Sequence, residues 1–264
     1  MLRDQLIGSI AAGIRPDGKA ADFPATALAV LDLVDLDAPP SQLDPPLSWI
    51  MEQANRPGGF GEGCTAARHA HRVCEHFVGG FFSPAPPSER AAPASMPNGK
   101  VYRVESQARF AVSCLALTAV LRGGRAHEPA AQRHLDSFSN LQLEWDTWGE
   151  FLVPDLAFNA LAALAAAPER WRPTLESMVR LIGNQQLRDG TWPKADFFNA
   201  LDGLCRVDHL LVGPILDQAL PGLLQRQRDD GSFGNVAADE RSLIGLRVLE
   251  RVVNPPAAPA KTLP

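Results

Sequence analysis

The feature that most constrains the fold of this chain is a short motif that returns at a near-constant interval. Its clearest copy is Gln186-Leu-Arg-Asp-Gly-Thr-Trp192, which reads Gln-x-x-x-Gly-x-Trp between two helical patterns. Degenerate copies begin at Gln227, with phenylalanine for tryptophan, at Gln142, with aspartate for glycine, and at Gln53, with one extra residue. The interval is about 40 residues, which is typical of a helical repeat array.

Each residue type in the motif has a structural role. The glutamine lies in the last turn of one helix, and Asp-Gly makes a tight turn because glycine supplies a positive φ. The aromatic side chain fills the seam before the next helix. The segment from Asn98 to Tyr102 fits as a further turn, with tyrosine as the aromatic. The turns fall at Gly18, Gly59, Gly99, Asp146, Gly190 and Gly231.

The hydrophobic pattern predicts two classes of helix. Helices before a turn carry mixed charge, whereas helices after a turn, such as 105–121 and 154–167, are small and apolar. Because helices with little polar surface belong in the interior, six inner helices would lie within six outer ones. The prediction is an all-α, α/α toroid (α6/α6 barrel) of about six helical-hairpin repeats, with one cavity that opens near the N-termini of the inner helices.

Proline, glycine and hydrophobic periodicity set the predicted boundaries. No strand pattern competes. The domain covers 1–253, and the Pro/Ala-rich residues 254–264 are expected to be a disordered tail. The Pro-rich segment 83–97 interrupts the repeat and is either a lid over the cavity or an inert surface loop. Helices are predicted over 2–13, 24–36, 43–53, 64–78, 105–121, 129–142, 154–167, 173–186, 195–211, 214–227 and 237–253.

The repeats resemble the QW repeats of triterpene cyclases, as in squalene-hopene cyclases, and the related repeats of protein prenyltransferase β subunits. The resemblance covers about residues 41–253. It implies the toroid, and it implies a hydrophobic isoprenoid or polyene substrate in the cavity. The motif itself is structural and carries no chemistry.

The composition of the chain limits the classes of molecule that it is expected to bind. The chain has 264 residues and a net charge of −5, which argues against a broad nucleic-acid surface. Its four cysteines form no Cys-x-x-Cys pair, as suits reduced thiols in a cytoplasmic protein. No signal-peptide layout is evident. A peripheral membrane contact is left open, and the oligomeric state is not predicted.

Acids at the starts of inner helices are the candidates for acid/base catalysis. Asp155, Asp196 and Glu105 occupy such positions, and His69 lies on the polar helix 64–78. Each acid could instead cap its helix and compensate the helix dipole. If one faces an apolar pocket, its pKa rises and it can act as a general acid.

The resemblance implies a proton donor that this sequence lacks. Class II terpene cyclases use the middle aspartate of Asp-x-Asp-Asp-Thr-Ala at the start of an inner helix. In the corresponding place, Asp155 matches the first aspartate, but Ala157 and Phe158 replace the other two. The aspartates at 32, 35 and 37 lie at a helix end and are expected to be solvated.

The substrate-binding candidates combine cations, aromatic rings and amides. Arginine could bind a diphosphate or carboxylate, and aromatic rings can stabilise a carbocation. The polar helix 64–78 either lines the cavity or lies partly exposed, and ordinary core packing also explains most of the rings. The predicted set is Arg68, Arg72, His76, Arg109, Phe110, Phe158, Asn159, Phe197 and Asn199.

The leading hypothesis is a non-redox cyclase or isomerase that needs no cofactor and no metal. One alternative is a non-catalytic toroid that binds a lipid or a protein. Another is a zinc-dependent prenyltransferase-like protein, for which Asp202, Cys205, Asp208 and His209 are the nearest imitation of a ligand set.

Overall fold

The computed structural model describes residues 2–53, 92–138 and 153–254, and this part of the chain is mostly helical. The all-α prediction is confirmed for these residues. The helices are α1 (Leu2–Ala12), α2 (Phe23–Asp35), α3 (Pro40–Glu52), α4 (Glu105–Arg122), α5 (Pro129–Phe138), α6 (Pro154–Ala165), α7 (Arg172–Gln185), α8 (Phe197–Cys205), α9 (Val212–Leu224) and α10 (Ala238–Val253), with a 3₁₀ turn at Glu169–Trp171.

Every second helix belongs to one continuous packed row. Helices α2, α4, α6, α8 and α10 pack in that order, each against the next. Helices α3, α5, α7 and α9 pack beside α2, α4, α6 and α8 respectively, so each pair forms a helical hairpin. The row therefore has one helix from each described repeat, as the period of the motif requires.

Burial separates the two classes of helix. Helix α7 buries Leu175, Met178, Val179 and Ile182, the one-sided spacing of an amphipathic helix. Helix α6 is buried on most of its surface, because small alanines let its neighbours approach. Among the described residues, no helix combines the length and the hydropathy that crossing a membrane requires.

Four turns share one hydrogen-bond pattern, which we call the repeat turn. They begin at Arg15, Met96, Leu187 and Arg228. The first backbone N–H donates to the fifth carbonyl at 2.8–3.0 Å, and the glycine N–H donates back to the first carbonyl at 2.8–2.9 Å. The third side chain, aspartate or asparagine, accepts from the fifth N–H at 3.0–3.1 Å. The Asp-Gly pair is thus explained by local chemistry.

The glutamine and the aromatic of the motif hold the repeat turn to its helices. Gln186 Nε2 donates to the Gly190 carbonyl at 3.1 Å, and Gln227 repeats this with Gly231 at 3.1 Å. Trp192 is 3% exposed, and its ring lies 5.6 Å from that of Phe158. The predicted role of the aromatic as the filler of a helix junction is confirmed here.

Two sequence predictions are wrong in detail. Ala94–Ser95 and Val101–Tyr102 pair as a short antiparallel hairpin, because the repeat turn between them brings the two segments side by side. The predicted helix 195–211 ends at Cys205, where Arg251 binds the carbonyls of Leu204 and Cys205. The turns at Gly59 and Asp146 and the helix 64–78 lie outside the described residues.

Candidate functional site

The hairpin 94–102 lies over the N-terminal ends of the inner helices. Asn98 Nδ2 donates to Asn199 Oδ1 at 3.0 Å and approaches Asp202 Oδ2 at 3.3 Å, both on α8. Arg241 of α10 donates to the Asn98 carbonyl at 3.1 Å. The hairpin covers part of this end of the inner helices, and the expectation that the cavity opens here stays a prediction.

Asp155 ties this hairpin to two inner helices. Its carboxylate is 3% exposed, forms an ion pair with Lys100, and accepts a hydrogen bond from the Asp196 N–H at 2.7 Å. Asn199 Nδ2 donates to the Asp155 carbonyl at 3.0 Å, and Asp196 caps α8 through the Asn199 N–H at 3.0 Å. The structure thus brings three of the predicted residues together in a buried polar cluster.

Glu105 and Arg109 form a second local pair. Arg109 Nε donates to Glu105 Oε1 at 2.6 Å, and the other oxygen of Glu105 accepts from the Ala92 N–H at 2.9 Å. Arg109 is 5% exposed. Phe110 is fully buried, 6.3 Å from the ring of Phe138. These contacts anchor the chain at Ala92 to the first turn of α4.

Those remaining predicted residues that the structure describes lie in two places. Phe158, Asn159 and Asn199 border a narrow space of about 30 Å³ between the hairpin and the inner helices. Phe197 lies with Asp196 in an open groove on the turn side, under the guanidinium of Arg226 at 4.3 Å. Arg68, His69, Arg72 and His76 lie outside the described residues.

A second concave site, which we call the C-terminal cavity, lies at the other end of the inner helices. It has a volume of about 350 Å³. Thr118, Ala162 and Arg206 border both this cavity and the narrow space. The five inner helices within the described residues, or the residues that follow them, all contribute to its wall. The lining residues are Asp35, Thr118, Arg122, Ala162, Ala165, Ala166, Cys205, Arg206 and Arg247.

Three arginines and one aspartate are the charged residues of the cavity wall. Arg122 pairs with Asp35 at 2.5 Å, and Arg206 pairs with Asp202 at 2.9 Å. The part of the chain that the structure describes offers Arg247 no ion pair. Because inner helix C-termini present carbonyl oxygens, cations are favoured at this end.

Two acids that interact electrostatically with arginines of the cavity wall have raised pKa values. Burial raises the pKa of Asp32, and the neighbouring charge of Asp35 raises it further. Burial also raises the pKa of Glu240, with Asp202 as the next cause. Both acids interact electrostatically with Arg206 and Arg247. A buried carboxyl group with a raised pKa and a charged partner in a cavity wall marks a functional-site candidate.

Sequence reasoning missed this site. Asp32 was expected to be solvated, but it is half-buried, whereas Asp35 and Asp37 are exposed. No local motif distinguishes Glu240 or Arg247 in the sequence. The available signal was a titratable residue inside an apolar inner helix: Asp32 follows Val30 and Leu31, and Glu240 and Arg247 are seven positions apart on one face of α10.

The proposed zinc ligands do not converge. Asp208 is 88% exposed and faces Arg251, while His209 lies 3.5 Å from Glu176. Burial, and then the charge of Asp202, raises the pKa of Cys205 to about 12, which opposes the thiolate that zinc binds. Within 2–53, 92–138 and 153–254, no group of three or more His, Cys, Asp or Glu could hold a metal ion.

No protein-family model matches this chain, and no curated protein matches it significantly. The resemblance to terpenoid cyclases and prenyltransferases therefore stays a prediction from the repeats.

Proposed function

We propose that the chain is an α/α toroid that catalyses a non-redox isomerisation or cyclisation of a small, mainly hydrophobic substrate in the C-terminal cavity. The toroid is supported by the row of five described inner helices, four of which have a hairpin partner packed beside them. The observation that carries the catalytic proposal is the convergence of those five described helices on one cavity, two of whose arginines interact electrostatically with two carboxyl groups of raised pKa.

The proposed reaction is a proton transfer to and from the substrate by Asp32 and Glu240. Asp32 and Glu240 are on different helices, and burial moves the pKa of each toward the range in which a carboxyl group can both hold and release a proton. One acid donates a proton to an alkene carbon, and the other carboxylate removes a proton from a neighbouring carbon. The substrate gains and loses one proton, and no electrons are exchanged with a partner.

The apolar part of the wall suits a hydrocarbon. Ala162 and Ala165 of helix α6, with the C-cap residue Ala166, line the cavity, and Leu31 and Phe158 border the narrow space beyond. Small side chains leave room for the substrate, and the surrounding core is close-packed. Asp155, Asp196 and Glu105, which the sequence favoured as acids, are proposed instead to hold the hairpin and the helix ends.

Solvent isotope incorporation tests the catalytic proposal. Geraniol, geranic acid and geranyl diphosphate are incubated with the protein in D₂O, and products are followed by NMR and mass spectrometry. We expect rearranged product that carries deuterium, and loss of most of this activity in Asp32→Asn and Glu240→Gln. Asp217→Asn, an exposed acid on α9, is the matched control. Full activity in both cavity variants would remove these acids from the mechanism.

A non-catalytic binding toroid is the second candidate. It is favoured by the engagement of Asp155 and Glu105 in buried contacts, which leaves the inner helix N-termini without a spare proton donor among those two residues. The same incubations distinguish the two candidates. A binder would retain the probe unchanged and without deuterium, and Asp32→Asn would leave its affinity unaltered.

A further inference from the structure

Arg247 differs from the other arginines of the C-terminal cavity. It is half-buried on α10 and borders the cavity. Arg122 and Arg206 each have a carboxylate partner at 2.9 Å or less. Within the described residues, Arg247 makes neither an ion pair nor a side-chain hydrogen bond. As far as the described residues reach, the donors of this guanidinium group are therefore available to a molecule in the cavity.

The neighbouring acids do not neutralise this arginine fully. Asp32 and Glu240 both interact electrostatically with Arg247, but neither carboxylate lies within ion-pair distance of the guanidinium group. Burial raises the pKa of each despite the attraction of Arg247, so desolvation is the larger effect. An anion that enters the cavity could pair directly with the half-buried Arg247, which none of the described acids does.

We infer that the substrate carries a single carboxylate, which Arg247 binds while the hydrocarbon part packs on the alanines of α6. This inference rests on the proposed function, because it names the substrate class of the same cavity. A guanidinium group presents parallel donors that match a carboxylate in a bidentate pair. A diphosphate carries a larger charge, and its binding would require Arg122 and Arg206 to leave their ion pairs with Asp35 and Asp202.

The cavity volume limits the hydrocarbon. A space of 350 Å³ equals about twelve water volumes at roughly 30 Å³ each. That room suits a short branched acid rather than a long polyene. The narrow space beyond Ala162 and Thr118 has a volume of only about 30 Å³, so a longer chain would have to displace the hairpin side chains Met96 and Asn98.

Three probes that share one hydrocarbon skeleton separate the effect of the head-group charge on binding from the effect of the hydrocarbon shape. Binding of geranic acid, geraniol and geranyl diphosphate to the full chain is measured by isothermal titration calorimetry. We expect geranic acid to bind at least about tenfold tighter than either other probe, as a charge-assisted hydrogen bond provides. In Arg247→Gln this preference over geraniol should disappear, and Arg247→Lys should keep part of it. Arg180→Gln, an exposed arginine on α7, should change nothing.

A cavity-filling variant distinguishes the failure of this inference from the failure of the proposed function. Ala162→Phe places a ring in the cavity and should weaken all probes that bind there. If no probe binds the wild type, or Ala162→Phe weakens none, the cavity is not the site and both proposals fail. If geraniol or the diphosphate binds as tightly as the acid, the carboxylate is wrong while the cavity stands. The wild-type comparison decides this even if an Arg247 variant does not fold, which circular dichroism would show.

Discussion

The indole Nε1 of Trp192 donates a hydrogen bond of 2.9 Å to the carbonyl of Ile182, which lies in the last turns of the preceding helix α7. This bond joins the aromatic of the repeat motif to the helix that the motif ends. The carbonyls of the last helical turn have no partner within the helix, so an outside donor satisfies one of them. The need for this N–H donor explains why tryptophan, rather than any large hydrophobic residue, occupies position 192.

Trp192→Phe tests the hydrogen bond apart from the ring. We expect the free energy of unfolding to fall by about 2 kcal/mol, because a buried carbonyl loses its donor and a smaller ring leaves a gap. Urea unfolding followed by circular dichroism measures the change. Trp49→Phe is the control, since Trp49 is only partly buried. Equal losses in the two variants would show that ring area, not the hydrogen bond, matters.

Gly190 and Gly231 form a matched pair that separates backbone strain from crowding. Both have φ near +80° in a repeat turn. A Cβ at position 190 would lie 2.3 Å from the Gln218 carbonyl oxygen, whereas a Cβ at position 231 would meet nothing within 4 Å. We expect Gly231→Ala to cost about 1 kcal/mol from strain alone and Gly190→Ala about 3 kcal/mol. Thermal unfolding of both variants gives the difference, and equal values would contradict the close packing of this turn on α9.

Asn98 occupies the turn position that aspartate fills in the other repeat turns. Asn98→Asp keeps the local acceptor but places a second carboxylate about 3.3 Å from Asp202, inside the protein. We expect a loss of roughly 2 kcal/mol at neutral pH from like-charge repulsion.

The repulsion raises the folded-state pKa of this acid pair above its unfolded value. The loss is therefore full above the folded pKa and disappears as the pH falls below the unfolded value. Unfolding of the variant at several pH values, each against wild type, measures this. Asp189→Asn makes the reverse exchange at an exposed turn and should change little. A loss in Asn98→Asp that is the same at every pH would reject the repulsion.

His134 should make the fold sensitive to acid. Burial lowers its pKa from 6.5 to about 3, so the folded protein keeps this imidazole neutral. The unfolded chain takes up the proton first as the pH falls. Stability is therefore full above about pH 6.5 and declines toward pH 3, by on the order of 5 kcal/mol in all.

Comparison of variants isolates this contribution from the acids that titrate in the same range. Asp32 and Glu240, whose pKa values are raised, act in the opposite direction, because their protonation favours the folded state. His134→Leu should flatten the decline relative to wild type, measured as urea midpoints at successive pH values. His127→Gln, at a 75% exposed side chain, should not. A wild-type slope in His134→Leu would reject this assignment.

Local structure was largely predictable from the sequence. The Asp-Gly turns, the role of the motif glutamine and the apolar character of α4 and α6 depend on residues within a few positions of one another. Helix ends were predictable where a local signal exists, as at Asp22 and Asp196, whose side chains cap α2 and α8. The end of α8 was not, because Arg251 reaches it from 46 residues away in sequence.

The position of the hairpin 94–102 depended on contacts between residues that are distant in sequence. Asn98 meets Asn199 across 101 positions, which places the hairpin at the N-terminal end of the inner helices. Nothing near residue 98 in the sequence encodes that choice.

The sequence by itself determined the repeat, its turn chemistry and the helical class, since these follow from backbone conformation and hydrophobic periodicity over one or two turns of helix. Only the tertiary structure decided which acids are desolvated. Asp155 was drawn into an ion pair with Lys100, while Asp32 and Glu240 were brought beside Arg247. A pKa depends on the dielectric and charge within a few ångströms in space, and packing sets those surroundings.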